Sequence, residues 1–154
     1  MVQIIEFPML LYNIRTRTIE HTFHEYVRPV LQPQLTDFCT ELTGIEQQTV
    51  DEAAPFEEVW PRFTQFMEKN LSEDVDKFTF ITCGKWDLED MLPKQLRHIG
   101  VDTTLPYLQT RWNIKNAFCE HYNLRRAGGL QSMLRRLNMH FEGRHHSGTS
   151  VRPH

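Results

Sequence analysis

The alternation of apolar and polar residues near the start of the chain is typical of two strands. Residues 3–13 are largely apolar, which predicts a strand that is mostly buried. Residues 18–27 alternate between two sets of side chains, and residues 13–17 between them have the composition of a turn. We therefore predict a β-hairpin, ended by Pro29 and Pro33.

After this hairpin, the apolar residues follow the spacing of helices. Thr36 is a suitable N-cap for a short helix through Leu42, and Gly44 is a suitable stop. Pro55 opens a longer helix, which Pro61 is expected to kink. Its apolar residues recur at i, i+3 and i+4, which predicts a core-facing stripe rather than a base-stacking surface. The stripe consists of Phe56, Val59, Trp60, Phe63, Phe66 and Met67.

The second half of the chain mixes one further strand with helices. We expect an acidic loop at 72–77, a strand at 77–82, a helix at 88–98 stopped by Gly100, and a strand end followed by a helix at 111–122. A last amphipathic helix, starting at Leu130, follows Gly128 and Gly129, and residues 143–154 have no periodicity. This order of elements predicts an α/β fold.

The length and composition of the chain are those of a globular protein with one core and no membrane span. A chain of 154 residues suits one core, and its 40% hydrophobic and 24% charged content is ordinary for a globular protein. No apolar run approaches the ~18 residues of a membrane span, so we expect no membrane partner. Cys39, Cys83 and Cys119 are odd in number and lack CxxC spacing, which favours a reducing compartment, the cytoplasm or the nucleus.

The charge is distributed unevenly along the chain. Residues 1–93 hold 7 Lys/Arg against 17 Asp/Glu, whereas residues 94–154 hold 10 Lys/Arg against 3 Asp/Glu, so the net charges are −10 and +7. A basic segment can follow a phosphate backbone by displacing counterions. By charge alone, solvated helix faces explain the pattern equally well.

Five short motifs occur in the order of one known family. They are Ile4-Ile5-Glu6-Phe7-Pro8, Tyr26-Val27-Arg28-Pro29, the segment from Leu35 to Ile45, the segment Thr79-Phe80-Ile81-Thr82-Cys83-Gly84-Lys85-Trp86-Asp87-Leu88, and Gly143-Arg144-His145-His146-Ser147-Gly148. Together they resemble the DEDDh 3′–5′ exonucleases, and most closely their Eri-type branch, which acts on histone mRNA 3′ ends. The resemblance covers nearly the whole chain.

The resemblance implies a ribonuclease H-like exonuclease fold that is incomplete here, with the first central strand and the last helix missing. The family's opening Asp-x-Glu does not precede the Ile4 motif, and its closing Asp, five positions after the histidine, corresponds to Val151. We expect a partial exonuclease domain at 1–148, an unstructured tail at 149–154, and strands 3–13 and 77–82 without their shared central partner.

The resemblance also implies functional residues. Asp87 matches a catalytic carboxylate and metal ligand, and His146 matches the catalytic general base. The residues alone allow plainer roles: Asp87 can cap the helix that begins at Leu88, and His146, like its neighbour His145, can be an exposed histidine in a polar tail.

Trp86, Phe38 and Leu42 match positions that bind the 3′-terminal nucleotide, although core packing is the plainer alternative. The implied cofactor is Mg²⁺ or Mn²⁺, with an incomplete site, and the implied partner is single-stranded RNA or an RNA 3′ end. The expected function is that of a 3′–5′ exoribonuclease, weak or inactive as this chain. The alternative is a catalytically inactive RNA-binding or regulatory module.

Overall fold

The computed structural model describes residues 3–71 and 78–144. The described residues group into two compact units. The first unit holds residues 3–71 together with 143 and 144, and the second holds residues 78–142. The expected tail at 149–154 and the acidic loop at 72–77 lie outside the described residues.

The first unit begins with the predicted hairpin. Strand β1 (Glu6–Asn13) pairs antiparallel with β2 (Thr18–Tyr26), and the register shifts between Leu11 and Tyr12. The turn is closed by Asn13, whose carbonyl accepts from Arg17 N and whose Oδ1 accepts from Arg15 N. The strand begins three residues later than expected, and most of its residues are half-buried rather than buried.

Three helices complete the first unit. They are α1 (Asp37–Thr43), α2 (Gln47–Asp51) and α3 (Phe56–Asn70). The predicted stripe on α3 is confirmed, because all of its members are buried except Phe66, which is half-buried. Phe7 joins the hairpin to this stripe through edge contacts with Phe56 and Phe63, with ring centroids 5.9 and 5.0 Å apart.

The second unit contains two short parallel strands among helical segments. Its elements are β3 (Phe80–Thr82), a π-helical turn (Trp86–Met91), α4 (Leu92–His98), α5 (Pro106–Gln109), β4 (Arg111–Asn113), α6 (Ile114–Tyr122) and α7 (Leu130–Arg136). Its buried side chains include Met91, Leu92, Leu96, Phe118 and Met133. No helix in the described part of the chain is long and apolar enough to cross a membrane.

Strand β3 pairs with a segment that the sequence predicted only as a strand end. Among residues 3–71 and 78–144, β1 pairs with β2, and β3 pairs in parallel with β4. The pairing Phe80↔Arg111, Ile81↔Trp112, Thr82↔Asn113 brings the carboxyl ends of β3 and β4 together. Loops and helix starts at such an edge are where open α/β sheets build their sites.

Candidate functional site

In the second unit, the chain leaves β3 through a turn that leads directly to Trp86 and Asp87. Gly84 has φ +126°, a conformation that a residue with a Cβ rarely adopts. Its N–H donates to Asn113 Oδ1 at 3.0 Å, and its carbonyl accepts from Thr82 Oγ1 at 2.8 Å. The turn is thereby tied both to the strand it leaves and to the end of β4.

Asn113 has a second role in this arrangement. The same Oδ1 accepts from Lys115 N at 3.1 Å, which makes Asn113 the N-cap of α6. One side chain therefore sets the position of α6 relative to the turn that precedes Trp86. Sequence reasoning missed this residue, although an asparagine just before an amphipathic helix is a recognised capping signal.

Asp87 lies within the first turn of the π-helical segment and not at its cap. The helical segment begins at Trp86, and the Asp87 carbonyl accepts from Leu92 N in an i→i+5 bond. The interpretation of Asp87 as the N-cap of a helix starting at Leu88 is therefore wrong. Its side chain is exposed, and no hydrogen bond or ion pair to it is found among the residues the structure describes. The carboxylate is available to bind a ligand.

Trp86 presents an indole ring beside this carboxylate. The residue is 54% exposed, so core packing is not its role. Lys94 Nζ lies 5.3 Å from the ring centroid, and the same Nζ lies 3.8 Å from Asp90 Oδ1. The cation covers part of the ring, and the remaining surface can accept a flat apolar group.

Cys83 lies between β3 and this pair and is poorly suited to nucleophilic chemistry. Burial raises the pKa of its thiol, Lys115 opposes that rise, and the Asp87 carboxylate adds to it. The neutral thiol is thus favoured, and the negative charge available for ligand binding at the carboxyl end of β3 is that of Asp87.

In the first unit, α1 presents the other two predicted nucleotide-binding residues. Phe38 and Leu42 are four positions apart, which places them on one face of the helix, and they are 71% and 40% exposed. The predicted caps of α1 are confirmed, because Thr36 Oγ1 accepts from Cys39 N and Gly44 has φ +75°, while the helix ends at Thr43, one residue later than expected. Phe38 is therefore no part of the core, although its residue type alone would have suggested that it was.

The remaining predicted residue, His146, lies outside the described residues. Within residues 3–71 and 78–144, no three His, Cys, Asp or Glu side chains are grouped so that they could hold a metal ion. Among the predicted site residues that the structure describes, Asp87 supplies the one carboxylate for a divalent ion, and two-metal hydrolysis needs more ligands than that.

An exposed aromatic–carboxylate pair thus lies at the carboxyl end of a parallel strand, and a solved structure shows that this α/β protein is of the nuclease class. The nuclease domain of 3′hExo, a DEDDh family member crystallised with rAMP, matches with a TM-score of 0.89 and 36% identity. The match covers 96% of this chain and 74% of that one. The predicted ribonuclease H-like exonuclease fold, present here in part, is confirmed.

The family follows from the sequence comparison. The family model described as Exonuclease, of the RNase T type, matches residues 2–150, and the chain belongs to this family. Human ERI1 exoribonuclease 3 is 44% identical over 147 residues, which are 95% of this chain and 43% of that protein. A 3′-exonuclease solved for 3′-end recognition of the histone mRNA stem-loop matches with a TM-score of 0.82 and 36% identity, over 96% of this chain and 51% of that one. The resemblance to Eri-type DEDDh exonucleases is confirmed.

These matches cover only part of the relatives, which limits the properties that can be assigned to this chain. The chain spans 43% of the length of the human relative that it matches. Family membership and fold are therefore established, whereas the activity, the substrate and the partners of the whole protein are proposals.

Proposed function

We propose that this chain binds RNA 3′ ends in the manner of a 3′–5′ exoribonuclease, in the cytoplasm or the nucleus. The observation that carries the proposal is the exposed pair of Trp86 and Asp87, fixed by a turn that Asn113 holds. An indole can stack on any base, so its contribution tolerates sequence. Phe38 and Leu42 offer a second exposed apolar surface, on α1.

The proposed role of Asp87 is to bind Mg²⁺ or Mn²⁺ near the phosphate to be cleaved. Both ions prefer oxygen ligands, and an exposed carboxylate without a partner among the described residues supplies them. His146 is proposed as the general base, on the strength of its position in the family motif. Hydrolysis in this class needs two ions held between several carboxylates, and Asp87 alone cannot hold both.

We therefore propose that the 154-residue polypeptide by itself binds RNA and hydrolyses it weakly or not at all. Two functions share this behaviour: a portion of an exoribonuclease that is active in a longer form, and a catalytically inactive RNA-binding or regulatory module. An in-frame Asp-x-Glu strand encoded upstream of the Met1 codon, together with an Asp-bearing helix encoded after the Gly148 codon, would favour the first.

The test uses the purified 154-residue chain with 5′-labelled single-stranded RNA and either Mg²⁺ or Mn²⁺. We expect binding without a ladder of products shortened from the 3′ end. An Asp87→Asn variant serves as the control for contaminating nucleases. A ladder that Asp87→Asn abolishes would show that the chain is active and would refute the proposed weakness. The absence of RNA binding would refute the binding function itself.

The choice of RNA probe can be sharpened. One solved relative recognises the 3′ end of the histone mRNA stem-loop. A stem-loop with a single-stranded 3′ flank should therefore be compared with a blunt stem-loop of the same sequence. If binding depends on a free 3′ end, the flanked RNA will bind more tightly, and a circular single strand will bind less tightly than its linear form.

A further inference from the structure

Helix α1 carries the proposed nucleotide-binding residues Phe38 and Leu42 but has little of its own to hold it in place. It is seven residues long, and none of its residues is buried. A short exposed helix is marginal without contacts at its ends. Its N-terminal end is held by the Thr36 cap, so its orientation depends on what holds the C-terminal end.

The C-terminal end of α1 is contacted by Arg144, which lies 103 residues away from Glu41 in sequence. Arg144 Nη2 donates to the Glu41 carbonyl, one of the last carbonyls of the helix, which have no partner further along it. The last turn of α1 has no basic residue of its own. Arg144 therefore supplies the positive charge that the C-terminal end of a helix favours.

The same guanidinium also occupies the space above Gly44. A Cβ added to Gly44 would lie 2.6 Å from Arg144 Nη1, 2.9 Å from Cζ and 3.0 Å from Cδ, so the end of the arginine side chain would have to shift. Glycine is favoured at this position by its φ of +75°, and the absence of a Cβ permits the close approach of the arginine. Arg144 therefore contacts α1 at the same place where Gly44 ends the helix.

We infer that Arg144 is a positioning residue that fixes α1 and thereby the face formed by Phe38 and Leu42. The inference deepens the proposed RNA-binding function and rests on it. Arg144 also lies two residues before His146 in the sequence. Arg144, the last described residue of the chain, thus contacts the helix that presents the proposed nucleotide contacts.

The test compares the full chain with Arg144→Gln, which removes the charge, and Arg144→Lys, which keeps it but lacks the planar fork. Arg15→Gln is the matched control, because Arg15 is an exposed arginine in the hairpin turn of the same unit. Hydrogen exchange is followed at Thr40 N and Gly44 N, which donate within α1 to the Thr36 and Thr40 carbonyls. The amides of the β1–β2 hairpin report on the rest of the unit.

In Arg144→Gln we expect the α1 amides to exchange about tenfold faster, because the variant loses a charged hydrogen bond to the helix. The exchange of the hairpin amides should be unchanged. RNA binding should weaken about three- to tenfold, and Arg144→Lys should recover part of both effects. Arg15→Gln should leave α1 exchange unchanged. Equal acceleration in α1 and the hairpin would show a general loss of stability and would overturn the inference. Faster exchange in α1 with unchanged RNA affinity would also overturn it, while leaving the RNA-binding function intact.

A second variant tests the inference without charge removal. Gly44→Ala should displace the guanidinium and accelerate α1 exchange in the same way, and adding Arg144→Gln to it should cause little further change. If Arg144→Gln leaves α1 exchange unchanged in both the wild-type and the Gly44→Ala background, the inference is overturned. If the wild-type chain binds no RNA, the proposed function fails, and these exchange rates still decide whether Arg144 anchors α1.

Discussion

Replacing Trp86 by alanine tests the proposed base-stacking residue. The residue is 54% exposed, so of the roughly 150–250 Å² that a large aromatic side chain can bury, about 100 Å² is open to a ligand. At ~25 cal/mol per Å², covering that surface would contribute about 2.5 kcal/mol. Part of this is offset by ordering the side chain and the RNA. We therefore expect Trp86→Ala to weaken binding by about 1–2.5 kcal/mol, or roughly 5- to 60-fold.

The assay is fluorescence anisotropy with a labelled single-stranded RNA at fixed, low salt, since raising the salt concentration weakens every phosphate contact alike. The matched control is Trp112→Ala, because Trp112 lies in the same unit, on β4, and is 62% exposed. Thermal unfolding of both variants should change by less than about 1 kcal/mol, the size of the exposed cation–π contact between Trp86 and Lys94.

Three results would contradict this reasoning. Unchanged affinity in Trp86→Ala would show that the ring does not contact RNA. An equal loss in Trp112→Ala would show that any exposed aromatic on the unit has the same effect. A loss of affinity accompanied by a large drop in stability would show that Trp86 supports the fold.

Two further substitutions separate the site from the core. Lys94→Met, which keeps the side-chain length, should weaken RNA binding about two- to fivefold at low salt, because it removes a positive charge beside Trp86 that can attract the RNA phosphates. An unchanged affinity would show that this cation does not contact RNA. Phe63→Ala should lower the free energy of unfolding in urea by about 3–5 kcal/mol, because Phe63 is 2% exposed and packs on Phe7, Phe23 and Trp60. Its control, Phe38→Ala, should change that free energy by less than about 0.5 kcal/mol, and an equal cost would show that Phe38 is packed.

Local signals explain why much of the secondary structure could be predicted from the sequence. The hairpin follows from alternation and turn composition, and α1 follows from a capping threonine and a terminating glycine a few residues apart. Helices α2 and α5 were missed because each is five residues or shorter, too short to show a period. The pairing of β3 with β4 was also missed, since it joins three-residue strands about thirty positions apart.

The candidate site could be predicted only in part. Phe38 and Phe63 are the same residue type at helical positions, yet one is 71% exposed and the other 2%, and only the family motif singled out the first. The π-helical turn at Trp86 was not predicted, because an i→i+5 bond depends on the surrounding packing rather than on local propensity. Arg144 and Asn113 were missed as positioning groups, because each acts on a segment distant in sequence.

Two segments, one in each unit, carry proposed RNA-binding residues, and each has few buried side chains. Helix α1 buries no residue, and the π-helical turn buries only Met91. Helix α1 is contacted at its ends by Thr36 and Arg144. The turn is preceded by the Gly84–Asn113 hydrogen bond and is contacted by Arg111, whose Nε lies 3.7 Å from Glu89 Oε1. Segments with few buried contacts open locally at a small fraction of the global free energy. Substitutions at these end contacts should therefore change ligand geometry before they change stability, whereas substitutions in the aromatic core should do the reverse.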